Sequence, residues 1–359
     1  MKIIQVCQRF HPDIGGIEKH VYEISKRLAR NNDIYVYTTD PSGKLPKKDF
    51  IDGIKVFRFK SFAPNEAYFF SPSMYFALRK QSCDILHAHS FHAFPAFLAY
   101  NAVKNFRKFV FTPHYHPVAS TPFRNNMHRL YDPLQVKIFH KANKIICVSD
   151  HEIELINQRF RIPKEKMVNI PNGIDVKRFE KLARYKKYKK KDNFRILYVG
   201  RLEKYKRIQW ILFAVREILK RFPDKKTEVV IVGKGPFEKN LKGQTKELNL
   251  HNIVTFKSGL SDADLLGEYQ KCDVFVMPSE YEAFSITTLE ALSCGKPVIV
   301  SNVGFLSEIS RGNGFTIDSK EDLVDRLSMM AENGIKVNFD FKKYSWDSIT
   351  ERIRNVYGD

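Results

Sequence analysis

The chain has 359 residues, of which 43% are hydrophobic and 13% aromatic, enough for two domains with buried cores and unlike a disordered chain. No apolar run reaches the roughly 20 residues of a spanning helix, and the opening MKIIQVCQRF lacks the layout of a secretory signal. A formal charge of +20 fits nucleic acid, an anionic membrane surface or a phosphorylated substrate; no nucleic-acid motif is present, so dedicated nucleic-acid binding is not expected.

Cys7, Cys83, Cys147, Cys272 and Cys294 are scattered and form no C-x-x-C pair, the pattern of a reduced, cytoplasmic chain. In chain order, KIIQVCQ reads as a strand and RFHPDIGG as a loop. IEKHVYEISKRLARNN then carries a helical stripe at Ile17, Val21, Ile24 and Leu28. Gly15 and Gly16, at that helix start, either form a plain turn or let the backbone approach a phosphate. DIYVYTT and GIKVFRF are two more strands, the second entered through Asp52-Gly53. The aromatic-rich segment 60–80 is either a loop and helix covering the core or part of an acceptor site.

CDILHAHS and FVFTPHYH are strands ending in histidines. His87, His89, His92, His114 and His116 therefore gather at carboxyl ends of strands, where open α/β sheets place their sites. No acidic or cysteine partner stands at ligand spacing, so no metal is expected. STPFRNNMHRLYDPLQVKIFHKANK is a basic run with apolar neighbours. It either lies on an anionic membrane or packs on its sheet with a solvated face, and Pro133 interrupts its stripe. IICVSDHEIELI gives a strand, a cap at Ser149 or Asp150, and a helix; NIPNGIDVKRF, containing Asn172, is a turn. The lysine-rich stretch 183–193 reads as a linker.

After it the strand–helix alternation restarts. FRILYV exits into Gly200, Arg201 and Lys206, two cations able to neutralise a diphosphate. TEVVIVGKGP ends in a glycine-rich turn, and IVTFKSGLSDADLLGEYQKC supplies a strand, a loop holding Leu260, and a helix capped by Ser261 or Asp262. DVFVMP then leads into PSEYEAFSITTLEALSCGKP, residues 278–297. Glu282 sits at the strand's carboxyl end. Ser285 caps the next helix, so the N–H groups of Phe284, Ser285 and Ile286 are free to meet a phosphate. Glu290 falls on the helix's apolar side and needs donors, which a ribose diol would supply; the alternative is that both glutamates are solvated and the Gly-Pro merely ends a helix.

This string, with its proline-serine, two spaced glutamates and closing glycine-proline, resembles the signature of the retaining glycosyltransferases of family 4 (glycosyl transferase group 1), which have the GT-B fold. The resemblance extends to Gly15-Gly16-Ile17-Glu18-Lys19-His20, Thr112-Pro113-His114, Pro171 to Asp175, Gly200-Arg201-Leu202 with Lys206, Gly304 with Glu308, and the tryptophan-led last helix. It departs at Arg207, Ala283, Ser285 and Phe305, where the family usually has glycine. The resemblance implies two doubly wound, parallel-sheet (Rossmann-like) α/β domains facing across a cleft: residues 1–182, a linker 183–193, residues 194–343, and a helix 344–359 crossing back to the first domain.

It implies metal-free, retaining transfer of a hexose from a UDP- or GDP-linked sugar to a hydroxyl acceptor, such as a sugar, a glycolipid or a phosphorylated molecule. Arg201 and Lys206 would hold the diphosphate with the N–H groups of residues 284–286, Glu290 the ribose, Glu282 a hexose hydroxyl and His114 the sugar. Leu260 would neighbour the base; the glycine pair would face the diphosphate and the acceptor. A GT-B phosphorylase, an epimerase and a non-catalytic nucleotide-sugar-binding protein are the alternatives.

Overall fold

The computed structural model describes residues 1–13, 15–64, 68–115, 133, 135–176, 193–282 and 284–358. The expected linker, except Asn193, lies outside the described residues, as do His116 and Ala283. The chain divides into two units, one of Met1–Gly173 with Trp346–Asp359 and one of Ile174–Ser345.

The first unit carries an eight-stranded sheet: β1 Lys2–Val6, β2 Asp33–Thr39, β3 Lys48–Ile51, β4 Ile54–Phe59, β5 Ser82–His89, β6 Asn105–Thr112, β7 Lys144–Cys147 and β8 Met167–Asn169, in the order β3-β4-β2-β1-β5-β6-β7-β8. Every pairing is parallel but one. β3 pairs with β4 antiparallel through a hairpin at Asp52 (φ 49°) and Gly53 (φ 82°), the positive angles a tight two-residue turn requires. The strand after that dipeptide is legible in the sequence, and the one before it is not, because KDFI alone is too short and too polar to stand out.

Helices cover both faces of the sheet, so its central strands read as continuous apolar runs. The helix Gly16–Leu28 turns Val21, Ile24 and Leu28 inward. The last helix, Trp346–Gly358, packs against it and adds Trp346, Ile349, Ile353, Val356 and Tyr357 to the same core as Ile3, Ile85 and Ile146. Gly173 is glycine because a side chain there would strike the Trp346 ring.

The basic run behaves as a packing helix where it is described. Residues 135–141 are helical, and Ile138 and Phe139 are buried in the core while Lys137, His140 and Lys141 face solvent. Ile138 and Phe139 are thus spent on the sheet.

The second unit has six parallel strands: β9 Phe194–Val199, β10 Thr227–Val232, β11 Val254–Lys257, β12 Val274–Met277, β13 Val298–Ser301 and β14 Gly314–Ile317, in the order β11-β10-β9-β12-β13-β14. The chain builds outward from β9 to β11, returns to β12 on the other side, and builds outward again. The loops leaving β9 and β12 therefore diverge and open a crevice at their carboxyl ends, the place where such sheets bind ligands.

Candidate active site

The loop leaving β9 is fixed by the loop leaving β10. Gly200 N–H donates to the Val232 carbonyl and Leu202 N–H to that of Lys234, both at 3.0 Å, and Phe237 N–H donates to the Leu202 carbonyl at 2.9 Å. Backbones this close leave no room for side chains at Gly233, which would meet the Gly200 carbonyl, or at Gly235, which would meet Leu202. Arg207, the helix cap where the family has glycine, takes φ 51° and is held by stacking on Trp210 at 4.6 Å and by Glu280 at 3.6 Å.

This loop brings Arg201 and Lys206 to the crevice. Lys206 is buried and its ammonium donates to Glu282, at the exit of β12. Burial alone lowers the Lys206 pKa, but the Glu282 carboxylate more than reverses that and holds it above the usual lysine value. Arg201 stays in solvent, with 72% of its side chain exposed and Glu203 at 3.0 Å. A tyrosine pair, Tyr205 and Tyr281, stacks at 4.4 Å and 10° beside the ion pair, and Glu280 N–H donates to the Tyr205 carbonyl at 2.8 Å. The two exit loops are thus sewn together around one cation and one carboxylate.

Beyond Glu282, the helix Ile286–Ser293 starts at Ser285, whose hydroxyl accepts from Thr288 N–H at 3.3 Å. Phe284, just before it, stacks on Phe305 at 4.0 Å, the residue standing at the second glycine of the family pattern. Glu290 is buried on this helix, as its apolar surroundings required, and accepts from the Tyr269 hydroxyl at 3.0 Å. Tyr269 belongs to the neighbouring helix Asp262–Lys271, so a donor that sequence reading assigned to a ribose is supplied to one oxygen by the protein itself. Leu260, after β11, is half-buried against the core.

In the first unit, histidines gather at the carboxyl ends of β5 and β6. His87 and His89 are fully buried, His114 nearly so, and His20 from the helix Gly16–Leu28 joins them. The rings of His20 and His114 meet edge-on at 5.4 Å, and those of His20 and His89 at 5.6 Å. His92 instead stacks on Tyr115 at 5.6 Å. Gln5 donates to Tyr357 Oη at 3.0 Å, and His87 is hydrogen-bonded through Nδ1 to Tyr357 Oη and through Nε2 to Thr112 Oγ1, both at 2.7 Å. The other end of Gln5 accepts from His89 Nε2 at 2.8 Å, which fixes that tautomer and leaves Nδ1 as the bare nitrogen.

Burial pushes His87 and His89 well below the usual imidazole range and His20 down to about 4, the neighbouring Asn172 side chain opposing the last shift. One nitrogen from each of His20, His89 and His114 lies within 4.8 Å of the others, and no acidic residue joins the set among the described residues. The sequence pairs did not show this convergence, because His20 arrives from a helix far away in the chain.

His114 is held at φ 46°, a strained conformation for a non-glycine residue. Its support was missed in the sequence. The buried Glu152 carboxylate accepts from Tyr115 N–H and, at 2.6 Å, from Val148 N–H, tying the His114 loop to the exit of β7. Burial raises Glu152 to about 7 against those hydrogen bonds. The only sequence signal was Ser149-x-x-Glu152, which reads as an ordinary helix start. Gly15 precedes the helix Gly16–Leu28 in extended backbone, and the Glu18 carboxylate fills the space a side chain there would need; Gly16 has open space.

Residues 180–353 match the family described as glycosyl transferases group 1, and residues 14–178 match glycosyltransferase family 4. The chain belongs to the family 4 glycosyltransferases. This transferase is 28% identical to an uncharacterized glycosyltransferase of Methanocaldococcus jannaschii, over 99% of this chain and 98% of the relative. It is 25% identical to a GDP-mannose:cellobiosyl-diphosphopolyprenol alpha-mannosyltransferase of Komagataeibacter xylinus, over 99% and 93%. Among solved structures it resembles sucrose-phosphate synthase from Thermosynechococcus elongatus, with TM-score 0.80, 21% identity and coverage of 99% and 98%. The transferase thus has the GT-B fold. None of its described helices is long and apolar enough to cross a membrane.

Proposed function

We propose that the enzyme transfers a hexose, with retention at the anomeric carbon and without a metal, from a UDP- or GDP-linked sugar to a hydroxyl of a lipid-linked acceptor. The carrying observation is the Lys206–Glu282 pair at the switch point between β9 and β12, one turn from the capped start of the helix Ile286–Ser293. A cation, a helix N-terminus and the exposed Arg201 suit a diphosphate; a paired carboxylate suits a hexose hydroxyl. Glu290 takes the ribose hydroxyls. His114 and the Gly15–Gly16 turn serve the sugar and the diphosphate, and Leu260 the base. The lipid-linked acceptor is supported by the name of the K. xylinus relative, which acts on a diphosphopolyprenol.

In the transfer step the acceptor oxygen bonds to the anomeric carbon as that carbon's bond to the diphosphate oxygen breaks. The electron pair leaves on the diphosphate, which Arg201 and Lys206 stabilise, and the acceptor proton passes to a phosphate oxygen. With two cations supplying that charge, EDTA leaves the rate unchanged. Loss of activity on chelation, restored by zinc, would assign a metal to His20, His89 and His114 and overturn this part.

The first test is thermal shift with UDP, GDP and ADP on the wild type and on Glu290→Gln. One nucleotide raises Tm, and the substitution removes most of the rise. No stabilisation by any of the three rejects the reading. With the donor known, NMR of the product gives the anomer, and inversion rejects retention.

A further inference from the structure

The segment between β4 and β5 carries aromatic side chains that its fold does not bury. Phe62 and Phe70 exchange both backbone hydrogen bonds, at 2.8 and 2.9 Å, and are directly opposed in an isolated antiparallel bridge. Opposed residues of such a bridge direct their side chains to the same side. Their exposures are 72% and 41%. Two residues later the helix Pro72–Leu78 begins, capped by Ser71. It sinks Met74 and Leu78 into the core and leaves Pro72, Ser73 and Phe76 on the outer face, with Phe76 59% exposed; its C-cap Arg79 and the turn residue Lys80 are exposed just beyond it. The amino end of that exposed face directly follows the Phe62–Phe70 bridge in the chain.

The charge around this patch has one sign. From Lys60 to Gln81 the described residues include Lys60, Arg79 and Lys80, all exposed, and no carboxylate; Glu66, outside the described residues, is the one acid in the stretch. Aromatic rings flanked by cations, on a chain of net charge +20, complement a surface that is apolar beneath and anionic on top.

We infer that Phe62, Phe70 and Phe76, with Lys60, Arg79 and Lys80, form a docking patch for an anionic lipid bilayer. This rests on the lipid-linked acceptor proposed above, and it moves the membrane contact away from the basic run, whose described part packs into the core. The rings enter the headgroup boundary and the cations stay among the phosphates. The lipid-linked acceptor then reaches the enzyme by diffusion in two dimensions.

The test is co-sedimentation of the full chain with vesicles of phosphatidylcholine alone or with phosphatidylglycerol, without any nucleotide. Wild type binds the anionic vesicles, and added salt releases it. Phe62→Ser with Phe76→Ser, and separately Lys60→Glu with Arg79→Glu, each lower the partition coefficient roughly tenfold or more. Phe50→Ser, an equally exposed ring on β3, binds like wild type. Because every substituted side chain is exposed, unchanged Tm and unchanged nucleotide-induced shift confirm an intact protein. Nucleotide binding also separates this inference from the transferase reading, since either can fail alone. Absence of vesicle binding by wild type, or equal binding by all variants, overturns the patch. Self-association that Phe62→Ser abolishes, with no vesicle binding, overturns it in favour of a dimer face.

Discussion

At the scale of single residues, the Lys206–Glu282 pair couples stability to chemistry. Lys206→Met strands a nearly buried carboxylate and costs about 3 kcal/mol. Adding Glu282→Gln recovers most of that loss in thermal denaturation but restores no turnover, since both groups are gone from the crevice. Arg201 behaves oppositely. Its side chain is largely in solvent, so Arg201→Ala leaves Tm unchanged while kcat falls about 100-fold or more, with KM little altered. An unchanged kcat with raised KM would contradict its role at the leaving group. These residues were legible in the sequence because each lies in a short motif whose spacing carries its chemistry. Glu152, Tyr269, Gln5 and Tyr357 were not, since each acts on a residue distant in sequence: Tyr269 on Glu290, and Tyr357, from the last helix, on His87 in β5.

At the scale of elements, the site depends on loops whose shape is set by what glycine leaves empty. Gly235→Ala drives a methyl into the Leu202 backbone, which cannot yield as a flexible side chain would. The substitution lowers stability by about 1–3 kcal/mol and shifts the β9 exit loop, weakening nucleotide binding. An unchanged thermal shift would show that the loop tolerates the displacement. The same substitution at Gly16 has open space and leaves Tm close to wild type. Ser285→Ala removes the N-cap of an eight-residue helix and costs about 1 kcal/mol by denaturant titration. Caps of this kind were readable from sequence, and where two were open the structure chose Ser149 and Ser261, whose hydroxyls accept from the N–H three residues on. The hairpin strand β3 was unreadable, because its stability comes from its pairing with β4 and not from its own four residues.

At the scale of the whole molecule, the buried histidines set the acid limit. His20, His87 and His89 have depressed pKa values in the folded state, so their stabilising contribution is complete above about pH 6.5 and is lost as pH falls toward 4. For His20, a drop from 6.5 to about 4 corresponds to about 3 kcal/mol. Glu152, raised to about 7, works the other way: its contribution is complete below pH 4.5 and lost as pH rises through 7. With three histidines against one glutamate, Tm falls between pH 6.5 and 4, and His20→Phe flattens that slope; a slope identical to wild type would remove His20 from the account. Deleting residues 346–359 takes five buried side chains from the first unit's core, on the order of 10 kcal/mol of apolar burial as an upper bound, and that unit does not fold. The sequence by itself determined the α/β class and the family, because apolar periodicity and motif spacing are local properties of a chain. Only the tertiary structure decided which histidines converge, which side chain donates to Glu290, where Ile138 and Phe139 are buried, and which aromatic rings stay in water. Each of those depends on contacts between residues far apart in the chain, and burial is fixed by what packs on a side chain and not by its neighbours in sequence.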